Sequence, residues 1–234
     1  MRGLQFETRW RGVRVAAGML FILGARGADA SDHLDTPTVI ADPSADIADL
    51  FAWMSPDGLR LNLAMTVVAQ RFSDRLQYVF HVGSGPRFGE TTIDTSIVCQ
   101  FDAANTAECW AGDVDHARGD ASKPVGIEGQ HRRFRVFAGL RDDPFFNNVK
   151  GTRDALQVAS AALQAGASVD AAGCPRFDKT TSQELLERWR HTAGGPAKDF
   201  LVGWKSSSLV VSVDLGVVDA GGKLLAVWGA IYKP

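Results

Sequence analysis

The stretch SPDGLRLNLAMTVV, residues 55–68, decides the fold class of this chain. From residue 59 onward, large apolar side chains alternate with polar or small ones, and a period of two is typical of a β-strand with one buried face. The preceding SPDG has Pro and Gly where a type I turn favours them. The stretch therefore predicts a β-hairpin with strands over residues 49–54 and 59–68.

Similar short apolar runs recur along the rest of the chain. They predict strands over residues 76–82, 91–101, 108–111, 132–140, 209–218 and 224–232, with a turn signal DAGG at 219–222 between the last two. About eight short strands without a strand–helix–strand rhythm are typical of an antiparallel β-sandwich. We expect a mainly β fold, either jelly-roll or Ig-like.

Two helical patterns interrupt the strands near residues 150–195. The first covers residues 152–165 and the second begins at TSQE, residues 181–184, which fits a capping box. Leu185, Leu186 and Trp189 then form one apolar face, and GGP at 194–196 ends the run. We expect a small two-helix insertion that covers a sheet edge or an open end of a single β-sandwich domain, residues 31–234.

Composition places the chain among globular proteins. It has 234 residues, 45% hydrophobic and 22% charged, with a formal net charge of -2. With this balance the sequence has no excess of basic residues, which a nucleic-acid partner would require.

The first thirty residues have the pattern of a signal peptide. Four arginines precede an apolar run at residues 15–24, and Ala28-Asp29-Ala30 has the small-x-small form of a cleavage site. The run is far shorter than the roughly 20 residues that span a bilayer. We expect a periplasmic or secreted protein with no transmembrane segment once the signal is removed, a retained anchor being the alternative.

The cysteines agree with an oxidising compartment. Cys99 and Cys109 bracket a turn-like segment, and this spacing suits a disulfide that closes a hairpin. A zinc site is the alternative, but zinc-binding pairs are spaced by two to four residues. For Cys174 the sequence leaves three states open: free, modified, or paired in another bridge.

Acidic residues crowd the start of the predicted mature chain. His33 and Asp35 are followed by three further aspartates, Asp42, Asp46 and Asp49, whose oxygens could hold Ca²⁺ as a cofactor. The spacing is not that of an EF-hand loop, and aspartates also cap turns by accepting backbone N–H bonds. Both interpretations stay open at this point.

A second charged block, RDDPFF, follows a predicted strand at residues 141–146. Arg141 could pair with an aspartate and tie the strand end to the N-terminal segment, or Arg141, Asp142 and Asp143 could form the polar floor of a ligand site. In the second case Phe145 and Phe146 would be its wall. Because strand ends gather at the two ends of a sandwich, we expect this block to meet the acidic segment, with Arg141 opposite Asp46 or Asp49.

No catalytic motif is present in the sequence. G-x-S-x-G, S-x-x-K, H-E-x-x-H, a P-loop and G-x-G-x-x-G are all missing, and His81, His116, His131 and His191 are scattered. His33 with a nearby carboxylate is the remaining candidate for a general base.

Several motifs together resemble a known family. SDHLDTP at 31–37, DIADLFAWMSPD at 46–57, VFAGLRDDPFF at 136–146, DFLVG at 199–203 and LAVWG at 225–229 resemble the bacterial exported proteins of the domain of unknown function family 4331 (DUF4331). The chain departs from that pattern at Trp53, where Phe is usual, and between Phe146 and Phe200. The resemblance implies an exported, mainly β protein, and it implies no reaction.

Two classes of function follow. We favour an exported, non-enzymatic binding or structural module, with a small molecule, a protein or Ca²⁺ at one end of the sandwich. The alternative is a hydrolase-like enzyme that uses His33 and nearby carboxylates.

Overall fold

The predicted hairpin is present in the structure, a computed structural model that describes residues 33–234. Strands β1 (Ile47–Met54) and β2 (Arg60–Val67) pair antiparallel. The Gly58 N–H donates to the Ser55 carbonyl at 2.9 Å, so the SPDG turn is confirmed. The predicted signal peptide, residues 1–30, lies outside the described residues.

Within residues 33–234, ten further strands and four α-helices accompany β1 and β2. The strands are β3 (Gln77–Gly85), β4 (Ile93–Phe101), β5 (Ala107–Ala111), β6 (Asp115–Gly119), β7 (Ile127–Glu128), β8 (Phe134–Asp142), β9 (His191–Thr192), β10 (Gly195–Pro196), β11 (Lys205–Asp214) and β12 (Leu224–Tyr232). The helices are α1 (Pro37–Ala41), α2 (Val149–Gln164), α3 (Lys179–Arg190) and α4 (Leu215–Val218), with a 3-10 turn at Pro43–Ala45.

The long strands form two antiparallel five-stranded sheets. Sheet A has the order β1-β2-β11-β8-β7 and sheet B the order β12-β3-β4-β5-β6. Their inner faces share one apolar core, in which Leu63 and Val211 of sheet A and Phe80 and Ile97 of sheet B are completely buried. The predicted antiparallel β-sandwich is therefore confirmed.

The two-helix insertion is also confirmed. Helices α2 and α3 pack against each other, and Gly151 is required at their contact. A Cβ at Gly151 would lie 2.2 Å from Asn148 Nδ2 and 2.8 Å from the Arg188 carbonyl oxygen. No helix within residues 33–234 is long and apolar enough to cross a membrane.

Three local features differ from the predictions. Residues 215–218, predicted as the end of a strand, form helix α4, and the strands on either side of it, β11 and β12, lie in different sheets. Helix α3 begins earlier than predicted because the N-cap is Asp178, whose carboxylate accepts the Thr181 N–H at 2.7 Å. Strand β6 was not predicted, since its five residues, DHARG, lack an apolar alternation.

The predicted disulfide is confirmed. Cys99 and Cys109 are directly opposite each other on β4 and β5, and both face the core with no exposed surface. Asp102 shapes the loop between them, because its Oδ1 accepts the Ala104 and Thr106 N–H groups at 3.0 and 2.8 Å. Cys174 is exposed and forms no disulfide.

Replacing both Cys99 and Cys109 with Ala should lower the free energy of unfolding by about 2–3 kcal/mol, because the open loop regains conformational freedom in the unfolded chain. Chemical denaturation of the oxidised protein measures this difference. Cys174→Ala is the matched control and should have no effect. Two free thiols at 99 and 109 in protein purified without reductant would contradict the disulfide.

A buried carboxylate ties sheet B to the loop that enters β8. Asp115 is 5% exposed and accepts three backbone N–H groups, those of His116, His131 and Arg133, each at 2.8 Å. Burial by itself would raise the pKa of Asp115, but these donors outweigh it and hold the pKa below 3.8. Gly129 leaves room for this carboxylate, because a Cβ there would lie 2.2 Å from Asp115 Oδ2.

Asp115→Asn should destabilise the protein by about 1–3 kcal/mol, because an amide cannot accept all three bonds and leaves a buried donor unsatisfied. Since the folded-state pKa is lowered, the carboxylate stabilises the fold above pH 3.8 and the effect is lost as the pH falls through the lowered pKa. Thermal unfolding between pH 3 and 7 tests this, with the exposed neighbour Asp113→Asn as control. Equal stability of the two variants at pH 7 would contradict it.

Candidate functional site

His33 is held against the start of β1. Its Nδ1 lies 3.2 Å from Asp46 Oδ1, and the Leu34 N–H donates to Asp46 Oδ2 at 2.7 Å. The Asp46 side chain is 9% exposed and that of His33 is 32% exposed. Both carboxylate oxygens of Asp46 are therefore used to fasten the N-terminal segment to the sandwich.

The surroundings of Asp49 raise the pKa of its carboxyl group. Burial raises its pKa above 3.8, and the nearby Asp143 carboxylate raises it further, while His33 and a hydrogen bond from Thr66 oppose the shift. The Thr66 Oγ1 lies 3.5 Å from Asp49 Oδ2. The structure thus brings residues of both charged blocks, which are about ninety positions apart, to the same end of the sandwich.

The other acids of the N-terminal segment have separate surroundings. The Asp42 carboxylate accepts the Ser44 N–H at 3.2 Å and lies 3.4 Å from Arg75 Nη2, as a turn cap would. Asp35 is exposed. Among residues 33–234 no three His, Cys, Asp or Glu side chains lie close enough to share a metal ion, so Asp42, Asp46 and Asp49 are not grouped as the Ca²⁺ interpretation requires.

Arg141 is not where the sequence led us to expect it. Its guanidinium lies 3.9 Å above the Phe137 ring and donates to the Leu140 carbonyl at 2.8 Å. Within the described chain it forms no ion pair with Asp46 or Asp49. Asp142 pairs instead with Lys205, its neighbour on β11.

Asp143 is oriented by the backbone that follows it. Its Oδ1 accepts the Phe145 N–H at 3.0 Å, and its own N–H donates to the Trp204 carbonyl at 3.1 Å. Phe145 and Phe146 are 42% and 59% exposed. The Asp143 carboxylate and the exposed rings of Phe145 and Phe146 therefore all lie just beyond the end of β8.

A row of hydroxyl groups continues this site across the outer face of sheet A. Strand register puts Thr66 and Ser208 side by side next to Asp49, with Ser206 two residues further along β11. Thr66, Ser206 and Ser208 are each at most 5% exposed although they face away from the core. Ser206 Oγ is buried without a hydrogen-bond partner in the described chain.

A second set of residues, which was not predicted from the sequence, lies on the outer face of sheet B. His81 stacks on Trp228, with ring centroids 3.6 Å apart and planes 8° apart. Its Nδ1 lies 3.1 Å from Ser96 Oγ and 3.3 Å from Asp94 Oδ1, and its Nε2 lies 3.3 Å from the Tyr232 hydroxyl. The alternation of LAVWGAIY in β12 could have placed Trp228 and Tyr232 on one face, but not next to His81.

A similar arrangement recurs at the other side of sheet B. His116 lies against Trp110, with ring centroids 5.3 Å apart, and its Nε2 is 3.2 Å from Glu108 Oε1. Two surface cavities border these strands. One of about 260 Å³ is lined in part by Gln100, Glu108 and Arg118, and one of about 150 Å³ by Trp110 and His116.

Asp49→Asn should stabilise the protein near neutral pH, because it removes a carboxylate that loses water on folding and is repelled by the charge of Asp143. A raised folded-state pKa means that unfolding becomes easier as the pH rises from 3.8 through the raised pKa. The difference in unfolding free energy between variant and parent should therefore grow across that interval and then level off. Denaturation series at several pH values test this.

Asp142→Asn serves as the control, since Asp142 is exposed and paired with Lys205. A pH-independent difference for Asp49→Asn, or an equal effect of both variants, would contradict the assignment.

Comparisons with known proteins add no family to this description. No family model, no curated protein and no solved structure matches the chain. The resemblance to DUF4331 therefore stays a prediction from the motifs.

Proposed function

We propose that this chain is an exported, non-enzymatic binding module that takes a cationic organic group at the Asp49–Asp143 end of sheet A. One observation carries the proposal: the half-buried Asp49 carboxylate on β1 has a raised pKa, first because burial removes its water and then because the Asp143 carboxylate beyond β8 repels its charge. A cation relieves a desolvated carboxylate that a second carboxylate repels.

The two basic side chains at the end of β8 and the start of β11 already have other partners. Arg141 stacks on Phe137, and Lys205 pairs with Asp142. His33 offsets part of the Asp49 charge, and a bound cation would add a positive charge from outside the chain.

The surroundings favour an organic cation over a metal ion. Ca²⁺ takes six to eight oxygens, and residues 33–234 hold no cluster of three metal-ligating side chains. An ammonium or guanidinium group can instead donate to the Asp49 and Asp143 carboxylates. The open ring of Phe145 or Phe146 could then cover its apolar part or stack on its charge.

Export is part of the same proposal. It is supported by the signal-like pattern of residues 1–30 and by the buried Cys99–Cys109 disulfide, since stable disulfides are rare in reducing compartments.

The alternative, a hydrolase-like enzyme, draws on the contact between His33 Nδ1 and Asp46, because a carboxylate at that nitrogen orients a general base. Against it, Asp46 also binds the Leu34 N–H, and this pair fastens a chain segment rather than lining a cavity described above.

Isothermal titration calorimetry of the purified protein with agmatine and with 1,4-diaminobutane tests the binding proposal. We expect at least one of them to bind, and Asp49→Asn and Asp143→Asn each to weaken it by about tenfold or more, the size of a lost charge-assisted hydrogen bond. Asp142→Asn is the matched control and should leave binding unchanged.

Parallel titrations separate the competing functions. Failure of both amines to bind, or equal weakening by Asp142→Asn, would overturn the proposal. Binding of Ca²⁺ alone, lost in Asp49→Asn, would replace it with a metal site. Hydrolysis of p-nitrophenyl acetate that depends on His33 would favour the enzyme.

A further inference from the structure

We infer that the outer face of sheet B is a second binding site, separate from the Asp49–Asp143 end of sheet A, and that its ligand is a neutral oligosaccharide. The register of the sheet puts Trp228 and Tyr232 of β12, His81 of β3, Ser96 of β4 and Trp110 of β5 on this face. Trp228 and Tyr232 are 47% and 44% exposed.

Trp228 is held in place before any ligand arrives. One face of its indole is covered by the His81 ring, and the His81 ring is itself fixed from both nitrogens by Asp94, Ser96 and Tyr232. The His81 side chain is only 14% exposed. Trp228 on the edge strand β12 is nevertheless 47% exposed, so part of its indole surface is accessible to a ligand. A rigid aromatic surface binds with little loss of side-chain entropy.

The middle of the outer face of sheet B carries small apolar side chains. Val79 and Val98, with Ala230 beside them, lie between the Trp228–His81 pair on one side and the Trp110–His116 pair on the other. We call this strip of small side chains between the two ring pairs the trough; Val79 within it is only 3% exposed. Trp228 and Trp110 are three strands and two residues apart, which is roughly 16 Å from strand spacing and rise per residue. This length suits a chain of several sugar rings and exceeds a single one.

The chemistry of the lining selects the ligand. Sugar rings offer C–H groups on one side, which pack on an indole face, and hydroxyl groups around the edge, which both donate and accept hydrogen bonds. The outer face of sheet B carries such groups: the side-chain amides of Gln77 and Gln100, and the Tyr232 and Ser96 hydroxyls, which also contact His81. Both flanking cavities are lined partly by residues of this face.

Charge argues against the other ligands that stack on aromatic rings. The two carboxylates of the face, Asp94 and Glu108, each lie within hydrogen-bond distance of a histidine. Arg118 is the only arginine or lysine at an outward position of β3, β4, β5, β6 or β12. Single-stranded nucleic acids and other polyanions require a basic groove, which this face does not offer.

Affinity electrophoresis tests the inference, in gels that contain xylan, glucomannan, hydroxyethyl cellulose or glycol chitin. Calorimetry then measures binding of the hexasaccharide that corresponds to the polymer that retards the protein. We expect at least one polymer to retard it. Trp228→Ala should weaken hexasaccharide binding about tenfold or more, and Trp110→Ala should also weaken it. The matched control is Trp53→Ala, a tryptophan of similar exposure, 48%, on the outer face of sheet A.

Tyr232→Phe, which removes only a hydroxyl group, keeps the test valid if Trp228→Ala does not fold, and it should weaken binding severalfold. Retardation by none of these polymers, or equal weakening by Trp53→Ala, would overturn the inference. So would a dimer in sedimentation experiments that Trp228→Ala dissociates, because the face would then be covered by a second copy. Neither result bears on amine binding at Asp49 and Asp143.

Discussion

Apolar contact between the inner faces of the two sheets is the interaction on which the rest of the structure depends. At one end of this core the rings of Phe72, Tyr78 and Phe101 pack together, with centroids 4.3 to 5.7 Å apart. The Tyr78 hydroxyl is buried there and bonds to the backbone of Ser73 at 2.8 Å and of Ser44 at 3.2 Å. Through Ser44 the core fixes the segment that carries Asp46, and through Asp46 it fixes His33.

The same core also determines what lies outside it. Because side chains alternate along a strand, filling the inner face leaves every second residue on the outer face. On sheet A those outer positions include Asp49, Thr66 and Ser208, which form an acidic, hydroxyl-lined end. On sheet B they include His81 and Trp228, which form an aromatic and nearly neutral face. The two proposed sites therefore differ in ligand chemistry because the two outer faces differ in composition, while the core below them is shared.

Arg141 illustrates how a local contact competes with a distant one. Phe137 lies four residues earlier on β8 and on the same face, so the guanidinium reaches its ring along its own strand. Within residues 33–234 Arg141 therefore forms no ion pair with Asp46 or Asp49. This short-range contact keeps it from acting as their expected counter-charge, and His33 is the basic side chain that opposes the raised pKa of Asp49.

Patterns of a few neighbouring residues were enough to predict the SPDG hairpin, most of the long strands, the two-helix insertion and the Cys99–Cys109 disulfide. In each case the determining interaction is local or follows from a period of two along one strand. The sequence also indicated that the two charged blocks would meet, since both flank strand ends.

The pairing of strands into sheets could not be predicted from the sequence. The separation of β11 and β12 into different sheets depends on which apolar faces cover each other, and that is a property of the whole core. The pairing of His81 with Trp228 joins residues almost 150 positions apart and exists only because β12 docks beside β3. Residue types could be seen along the chain, but only the tertiary structure decided which of them touch, because contact between distant segments is set by packing rather than by local preference.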